Sequence, residues 1–492
     1  MKKIEFFLLT LIILGAFTVR LYKFNSPVAD WHSWRQSDTS AVSRNFVKDG
    51  FDILHPRFDD LSNVGSGFDN PKGYRFVEFP IYNIAQAGMF NFLGFFTLEQ
   101  WGRLISIFSS LLSITFLYLI VSKYKSKTAG LLSAFFYAFL PYNIFFNRTI
   151  LPDTTMIMAI LGGIYFFDKW ISISNLKDQK SKIQLKSKIF LILSVLFTAS
   201  SFLLKPYALF FTLPIIFLVF KNFGFWFIKK WQLWIFAVFT LLPLILWRYW
   251  IQQFPEGIPV SDWLFNGGNV RFKPSYFQWI FGDRIGRLIL GYWGLPLFIL
   301  GFLALAQKKI PKSNLLFFLS FILSSLLYVT VIARGNLQHD YYQILIIPSI
   351  VIFLALGADF LISASKEHFN KIICYLIFII CTGFMSFFGW YFVRDFFNIN
   401  NSSIIVAGEA IDRLTPKGAK IIAPYDGDTS FLYQTNRQGW ASFEKSLPEM
   451  IELGADYLVL LNTKKEDYQI GKTYEIVSVK PEYILFDLHK KP

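Results

Sequence analysis

Apolar residues along this chain gather into runs of about 20, close to the length a helix needs to cross the hydrocarbon layer of a bilayer. Ten such runs, at about 103–122, 129–146, 154–170, 189–204, 207–220, 231–250, 287–306, 314–333, 342–362 and 371–392, follow an eleventh at the N-terminus. That first run, Phe6–Thr18, comes after Met1-Lys2-Lys3 and has the outline of a secretion signal. It lacks a clear small-x-small cleavage site and continues into Val19-Arg20-Leu21-Tyr22, so it reads as a retained helix with its N-terminus in the cytoplasm. Two runs are short and interrupted around Lys205-Pro206. From about residue 393 the pattern changes. Charges return, and strand-like runs such as Lys420-Ile421-Ile422-Ala423 and Tyr457-Leu458-Val459-Leu460-Leu461 alternate with helical stretches near 402–414 and 446–454. The expected architecture is an α-helical polytopic membrane domain over 1–392, with about eleven transmembrane helices, and a small extracytoplasmic α/β domain over 393–492.

Lysines mark alternate loops: Lys123, Lys125 and Lys127; Lys177, Lys180, Lys182, Lys186 and Lys188; Lys221, Lys229 and Lys230; Lys308, Lys309 and Lys312; Lys366 and Lys371. The excess of Lys and Arg in cytoplasmic loops places all of these inside. One segment decides the parity. Phe79–Phe96 is apolar enough to span, but it carries Asn83, Gln86 and Asn91 on roughly one helical side, and crossing there would put every basic loop outside. It is therefore expected to lie in the interface. The first outer loop then runs from about 23 to 102 and a second covers 251–286.

Composition agrees. Of 492 residues, 54% are hydrophobic, 19% aromatic and only 16% charged, against about a quarter charged in ordinary soluble domains. That excludes a cytosolic enzyme, a disordered tail protein and a fibrous repeat. The net charge of +15 would ordinarily raise nucleic acid as a partner, but sorted by loop it is largely a topology signal, and no nucleic-acid binding is expected. The two cysteines, Cys374 and Cys381, lie seven apart in one apolar run, about 10 Å along a helix and too far for a disulfide.

Ionisable residues are scarce within the runs and collect at their outer ends. The first outer loop offers Asp30-Trp31-His32-Ser33-Trp34-Arg35-Gln36-Ser37-Asp38-Thr39, then Pro56-Arg57-Phe58-Asp59-Asp60, and closes on Gly73-Tyr74-Arg75-Phe76-Val77-Glu78-Phe79-Pro80. Short outer loops add Arg148 and Asp153, Lys205, and Arg334 with His339-Asp340-Tyr341-Tyr342. Carboxylates with Lys, Arg and His at the lipid–water boundary suit a reaction on a lipid phosphate: cations neutralise the phosphate and a carboxylate takes a proton from an incoming hydroxyl. A lipid or sugar transporter, the alternative, would place ionisable residues near the bilayer midplane along a path, and little of that is visible. A non-catalytic scaffold presenting the α/β domain leaves the carboxylate cluster unexplained.

This series resembles the polytopic GT-C glycosyltransferases, the group that contains protein O-mannosyltransferases and the transferase that adds aminoarabinose to lipid A. The pieces that carry the resemblance are Arg20-Leu21-Tyr22 after the first helix, the loop WHSWRQSDTSAVSRNF, and Glu78-Phe79-Pro80-Ile81-Tyr82. Leu151-Pro152-Asp153 and His339-Asp340-Tyr341-Tyr342, each before a span, complete the series. Together they extend over most of residues 1–360. The resemblance implies inverting transfer of a sugar from a polyprenyl-phosphate donor to a hydroxyl of a lipid, protein or glycan, at the outer face of the cytoplasmic membrane. It also implies a catalytic Asp in the first outer loop. The Asp-Glu pair often seen in the family is missing here, and two aspartates compete: Asp38 is preferred as general base, with Asp30 second. Glu78 and Asp153 are further catalytic candidates. Arg35, His32, Arg75, Arg148, Lys205, His339, Asp340, Tyr341 and Tyr342 are candidates for substrate binding.

Each candidate has a plainer reading. Ser37-Asp38-Thr39-Ser40 is good helix-capping chemistry, which is compatible with a base. Glu78 reads equally as a solvated charge, Asp153 as a cap after Pro152, and Lys205 as a snorkelling helix-end lysine. Trp31, Trp34, Tyr341 and Tyr342 read as interface anchors, and Arg437-Gln438-Gly439-Trp440 as a turn with a core Trp. No cofactor is assigned; His339-Asp340 leaves a divalent metal ion open without defining a site.

Overall fold

The computed structural model describes residues 3–174, 181–305, 311–367 and 370–492. Met1, Lys2 and the loop lysines Lys177, Lys180, Lys308 and Lys309 lie outside the described residues. Each apolar run holds a helix. Eight of these are long and apolar enough to cross a membrane: Leu98–Tyr124, Pro152–Ser174, Gln184–Leu204, Pro206–Lys229, Trp231–Ile251, Lys312–Val331, Asp340–Ser363 and Lys371–Phe397. The remaining runs form the shorter helices Lys3–Arg20, Lys127–Phe139 and Leu295–Leu305. Large apolar side chains such as Phe7, Leu14, Phe239, Ile245, Ile379 and Phe387 face outward, as a lipid-facing surface requires. The chain is an α-helical polytopic membrane protein with a small C-terminal α/β unit.

Prolines and glycines account for the differences from the apolar pattern. The run 129–146 breaks at Leu140, and Pro141 opens a second short helix, Pro141–Phe146. The run after Lys205 starts as a 3₁₀ turn, Pro206–Thr212, before the α-helix Leu213–Phe223. The run expected from 287 becomes α-helical only at Leu295, because a wide π-type helix, Gln278–Ile289, precedes it and Gly291 and Tyr292 adopt positive φ of 50° and 58°. Small residues let helices touch: a Cβ on Gly357 would meet Leu297 O at 1.9 Å, which holds Asp340–Ser363 against Leu295–Leu305.

Between helix Lys3–Arg20 and the first long helix, Leu98–Tyr124, lies a folded loop. Helix Ser33–Asp49 is followed by a β-bridge between Arg57 and Tyr74, and then by helix Ile81–Leu93. Thirteen residues span about 20 Å, too little to cross, so the segment expected in the interface has the length for that place.

The C-terminal unit is a five-stranded sheet, built of β1 (Ile421–Ile422), β2 (Gly439–Trp440), β3 (Tyr457–Leu461), β4 (Glu475–Lys480) and β5 (Tyr483–Asp487). The strand order is β2-β1-β3-β5-β4, parallel among the first three and antiparallel after. All of β5 is buried because both faces are covered: Tyr483 and Leu485 pack with Ile411 and Phe431, while Ile484 and Phe486 pack with Trp440 and Met450. The first loop joins each core, Ala29 on one face and Leu61 on the other. It also extends the sheet: Asp60 bridges Gly439 in parallel, with Leu61 N–H donating to Gly439 O at 2.7 Å. Loop and sheet are packed and hydrogen-bonded to each other. Arg437 is buried and donates to the carbonyls of Asp412, Thr415 and Pro416, so with core Trp440 it serves packing.

The two ends of the helix bundle differ chemically. At one, Lys123 and Tyr124 contact Asp168, Lys125 approaches Asp359, and Lys221 lies over the Tyr124 ring. The other carries the loop, the sheet and the outer-end residues below.

Candidate active site

A cavity of about 500 Å³ opens where the first loop, the Lys205-Pro206 turn and the His339–Tyr342 segment meet. Trp34, Tyr207, Trp263, Tyr341 and Tyr342 supply aromatic walls. Arg35, Arg75, Lys205 and Arg248 line it as cations, and Glu78 is the carboxylate on its wall. Asp38 lies just behind, in a narrow side pocket shared with Arg35, Arg75 and Glu78.

Helix Ser33–Asp49 aims the first of these groups. It is entered through His32 at φ 55° and begins five residues before Asp38, which therefore sits in the second turn and is not a cap. Arg35, one turn earlier, donates through Nη2 to both oxygens of Glu78, at 2.7 and 2.8 Å. Burial opposes the charge on Arg35, but Glu78, with Tyr341 and Asp38, holds its pKa above the ordinary guanidinium value. Asp38 takes two partners: Arg75 Nη2 at 2.5 Å on Oδ2 and the Thr429 hydroxyl at 2.7 Å on Oδ1. Glu78 is thus a buried, paired carboxylate rather than a solvated charge.

Asp30 is placed differently. Gln36 Nε2 donates to its Oδ1 at 2.7 Å and Arg148 Nη2 to its Oδ2 at 2.8 Å, so it ties the first loop to the bundle and borders neither cavity. Burial lowers the Arg148 pKa to about 10. Lys205 is buried and does not snorkel; its ammonium donates to Asp153 Oδ1 at 2.8 Å, leaving Asp153 Oδ2 buried without a hydrogen-bond partner. The Lys205 nitrogen also lies 5.3 Å from the Tyr341 ring centre and 5.6 Å from that of Tyr342, both buried.

His32 and Asp340 pair at 2.5 Å, and Trp31 Nε1 donates to the same carboxylate at 3.0 Å. His339 turns the other way, into the cavity, with its ring centre 5.7 Å from Trp34 and 5.8 Å from Trp263. Burial pushes the His339 pKa down to about 4, so a neutral imidazole faces the cavity near pH 7. His339 lines the cavity and Asp340 does not, and among the described residues no group of three His, Cys, Asp or Glu converges as a metal site.

Arg248, Trp263, Ser261 and Thr429 were not among the residues expected from sequence. Arg248 hid inside the run 231–250 and the 258–265 segment inside a loop without a motif; a lone arginine near the outer end of a span was the available signal. Arg248 has no hydrogen-bond or ion-pair partner among the described residues. A second cavity of about 430 Å³, lined by apolar side chains including Phe202, Leu209, Ile216 and Leu241, lies between Gln184–Leu204, Pro206–Lys229 and Trp231–Ile251.

Neither a protein-family model nor a curated protein sequence matches the chain. Solved structures do. ArnT from Cupriavidus metallidurans bound to undecaprenyl phosphate aligns with a TM-score of 0.63 at 12% identity, over 97% of this chain and 97% of that one. The Archaeoglobus fulgidus oligosaccharyltransferase in the apo form aligns at 0.60 and 9% identity, over 93% of this chain and 70% of that one. The same organism's oligosaccharyltransferase AglB, in complex with an inhibitory peptide and a dolichol-phosphate, aligns at 0.56 and 10% identity, over 93% and 69%. From the first helix to the C-terminal sheet, the chain has the fold of the GT-C glycosyltransferases.

Proposed function

We propose that this protein transfers a sugar from a polyprenyl-phosphate donor to an acceptor hydroxyl at the outer face of the cytoplasmic membrane. In this reading residues 1–392 are the transferase unit, the N-terminus is cytoplasmic, and 393–492 form an extracytoplasmic domain. One observation carries it: a cavity with aromatic walls holds four cations, of which Arg35, Arg75 and Lys205 are each matched by a carboxylate and Arg248 is not. An anionic ligand would complete that balance. Undecaprenyl phosphate and dolichol-phosphate are bound in two of the similar structures, and the second, apolar cavity has the lining an isoprenoid tail requires.

The chemistry follows from the groups present. Asp38 accepts the proton of the acceptor hydroxyl, whose oxygen attacks the anomeric carbon opposite the phosphate, inverting its configuration. The bond from that carbon to the phosphate oxygen breaks, and the polyprenyl phosphate leaves with the electron pair. Arg248, Lys205 and Arg75 stabilise its developing charge. Arg75 borders both the side pocket and the main cavity, so its turn toward phosphate would free Asp38 Oδ2. Glu78 holds Arg35 in place, and Trp34, His339 and Trp263 form the wall available to the sugar. Asp30 is the second choice as base.

The test uses full-length protein in nanodiscs, membrane extract as acceptor source, and radiolabelled undecaprenyl-phosphate monosaccharides. Asp38→Asn is expected to abolish transfer. Full transfer by Asp38→Asn would remove Asp38 as the base, and full transfer by Asp30→Asn as well would sink the carboxylate-base mechanism. Label moving across the bilayer of proteoliposomes, with no transfer product from any donor, would replace the transferase with a transporter.

A further inference from the structure

Asp38 has one partner that the transmembrane chain does not supply. Thr429, the first residue of the short helix Thr429–Gln434 in the C-terminal unit, places its hydroxyl 2.7 Å from Asp38 Oδ1 and 3.2 Å from the Trp34 carbonyl. A hydroxyl facing a carboxylate must donate. The short helix is anchored where it stands. Tyr433 OH donates to Glu99 at 2.5 Å, Arg44 donates to the Tyr433 carbonyl at 3.1 Å while lying 4.0 Å over its ring, and Gln434 Nε2 reaches Val28 O at 2.9 Å. Behind it, Asp428 caps the helix through Ser430 N–H. These anchors leave Thr429 little freedom to miss Asp38.

We propose that Thr429 is a positioning residue for the transfer reaction, and that the C-terminal unit is thereby a working part of the active site. The inference rests on the role given to Asp38 above. Its physical content is a division of labour between the two carboxylate oxygens. The Arg75 bond to Oδ2 is the exchangeable one, because Arg75 also borders the substrate cavity. The Thr429 bond to Oδ1 comes from outside that cavity, and at 2.7 Å to a carboxylate it is shorter than the hydroxyl's 3.2 Å contact with the Trp34 carbonyl, the other acceptor within reach. When Arg75 turns to phosphate, Thr429 keeps the carboxylate plane fixed with Oδ2 toward the acceptor. A carboxylate held by one fixed donor retains its direction; one that loses both partners rotates.

The test compares Thr429→Val, Thr429→Ser and Asp38→Asn in full-length protein in nanodiscs, using the undecaprenyl-phosphate sugar that supports transfer in the preceding assay. Thr429→Val keeps the side-chain shape and removes the donor, and is expected to lower kcat about tenfold with donor KM within about twofold, the size of one lost hydrogen bond to a charged group. Thr429→Ser restores the hydroxyl and most of the rate. A Thr429→Val enzyme with wild-type kcat, beside an inactive Asp38→Asn enzyme, overturns this inference and leaves the base assignment standing. A Thr429→Ser enzyme as slow as Thr429→Val, at the same folded fraction, overturns it too, because the hydroxyl is then not what matters. Full transfer by Asp38→Asn removes the base assignment, and the inference with it.

Discussion

Arg248 sits in the last turn of Trp231–Ile251 on the cavity wall, with no carboxylate in ion-pair contact among the described residues. Removing a cation that meets substrate phosphate weakens both ground-state and transition-state binding, so Arg248→Ala is expected to raise the donor KM by about tenfold or more while the protein stays folded. Arg248→Lys recovers only part, since an ammonium lacks the planar fork. Transfer kinetics against donor concentration check this; an unchanged KM would remove Arg248 from the phosphate site. Lys205 behaves differently because it is already paired. Lys205→Met strands the buried Asp153 carboxylate, a change that costs about 3–5 kcal/mol in comparable buried pairs, and thermal unfolding in detergent should show a clear drop. Adding Asp153→Asn should recover most of that drop. At this scale the sequence was readable in kind and not in pairing. Asp38, Glu78, Arg35, Arg75 and Lys205 stood out as charges where charges are expensive, but which carboxylate each cation meets depends on contacts 37 to 52 residues apart. Capping chemistry around Ser37-Asp38 pointed to a helix start; His32 in the left-handed region placed that start earlier.

Between elements, the first loop and the sheet share a hydrogen-bonded edge, and Asp60 lies on the seam. Its carboxyl accepts from Ser62 Oγ at 2.7 Å and from Ser62 and Ala441 N–H at 3.2 Å. Burial outweighs those donors, with Asp38 adding a smaller push, and the pKa rises to about 6 from the ordinary 3.8. The folded protein therefore binds a proton that the unfolded chain has lost. Stability from this group is fully present below about pH 4, falls as the pH rises through about 6, and stays lower above it. Asp60→Asn lacks the titrating group. Its thermal midpoint should exceed that of the wild type at pH 7.5, and the gap should close toward pH 4.5. A gap that stays constant with pH would mean that Asp60 does not titrate in this range. The elements themselves were largely readable, because 20-residue apolar runs have few other folds open to them. The seam was not: nothing local in Asp59-Asp60-Leu61 marks it as a partner for Gly439, some 380 residues later, and short strands such as Ile421–Ile422 gain their order from neighbours.

At the scale of the whole molecule, the bundle is polar in the electrical sense. Lys123, Lys125 and Lys221 crowd one end with Asp168 and Asp359, while Arg248, Lys205, Arg75 and the aromatic cavity occupy the other. Loop lysines orient a multi-span protein with their own side inward, so the cavity should open outward, where a sugar-charged lipid would present its head group. The helix Ile81–Leu93 decides the orientation, for a thirteen-residue helix does not cross and so leaves the parity of every later span unchanged. Single cysteines at exposed positions test the orientation directly, because native Cys374 and Cys381 are both buried. In intact spheroplasts, Asp262→Cys and Lys417→Cys should react with a membrane-impermeant maleimide, whereas Thr128→Cys and Lys229→Cys should react only after permeabilisation. The reverse pattern would put the cavity in the cytoplasm, where a donor presented on the outer leaflet never meets Arg248. Labelling of all four positions in intact cells would instead show that Ile81–Leu93 leaves the chain with mixed topology, and the charge asymmetry would then have failed as the orienting force.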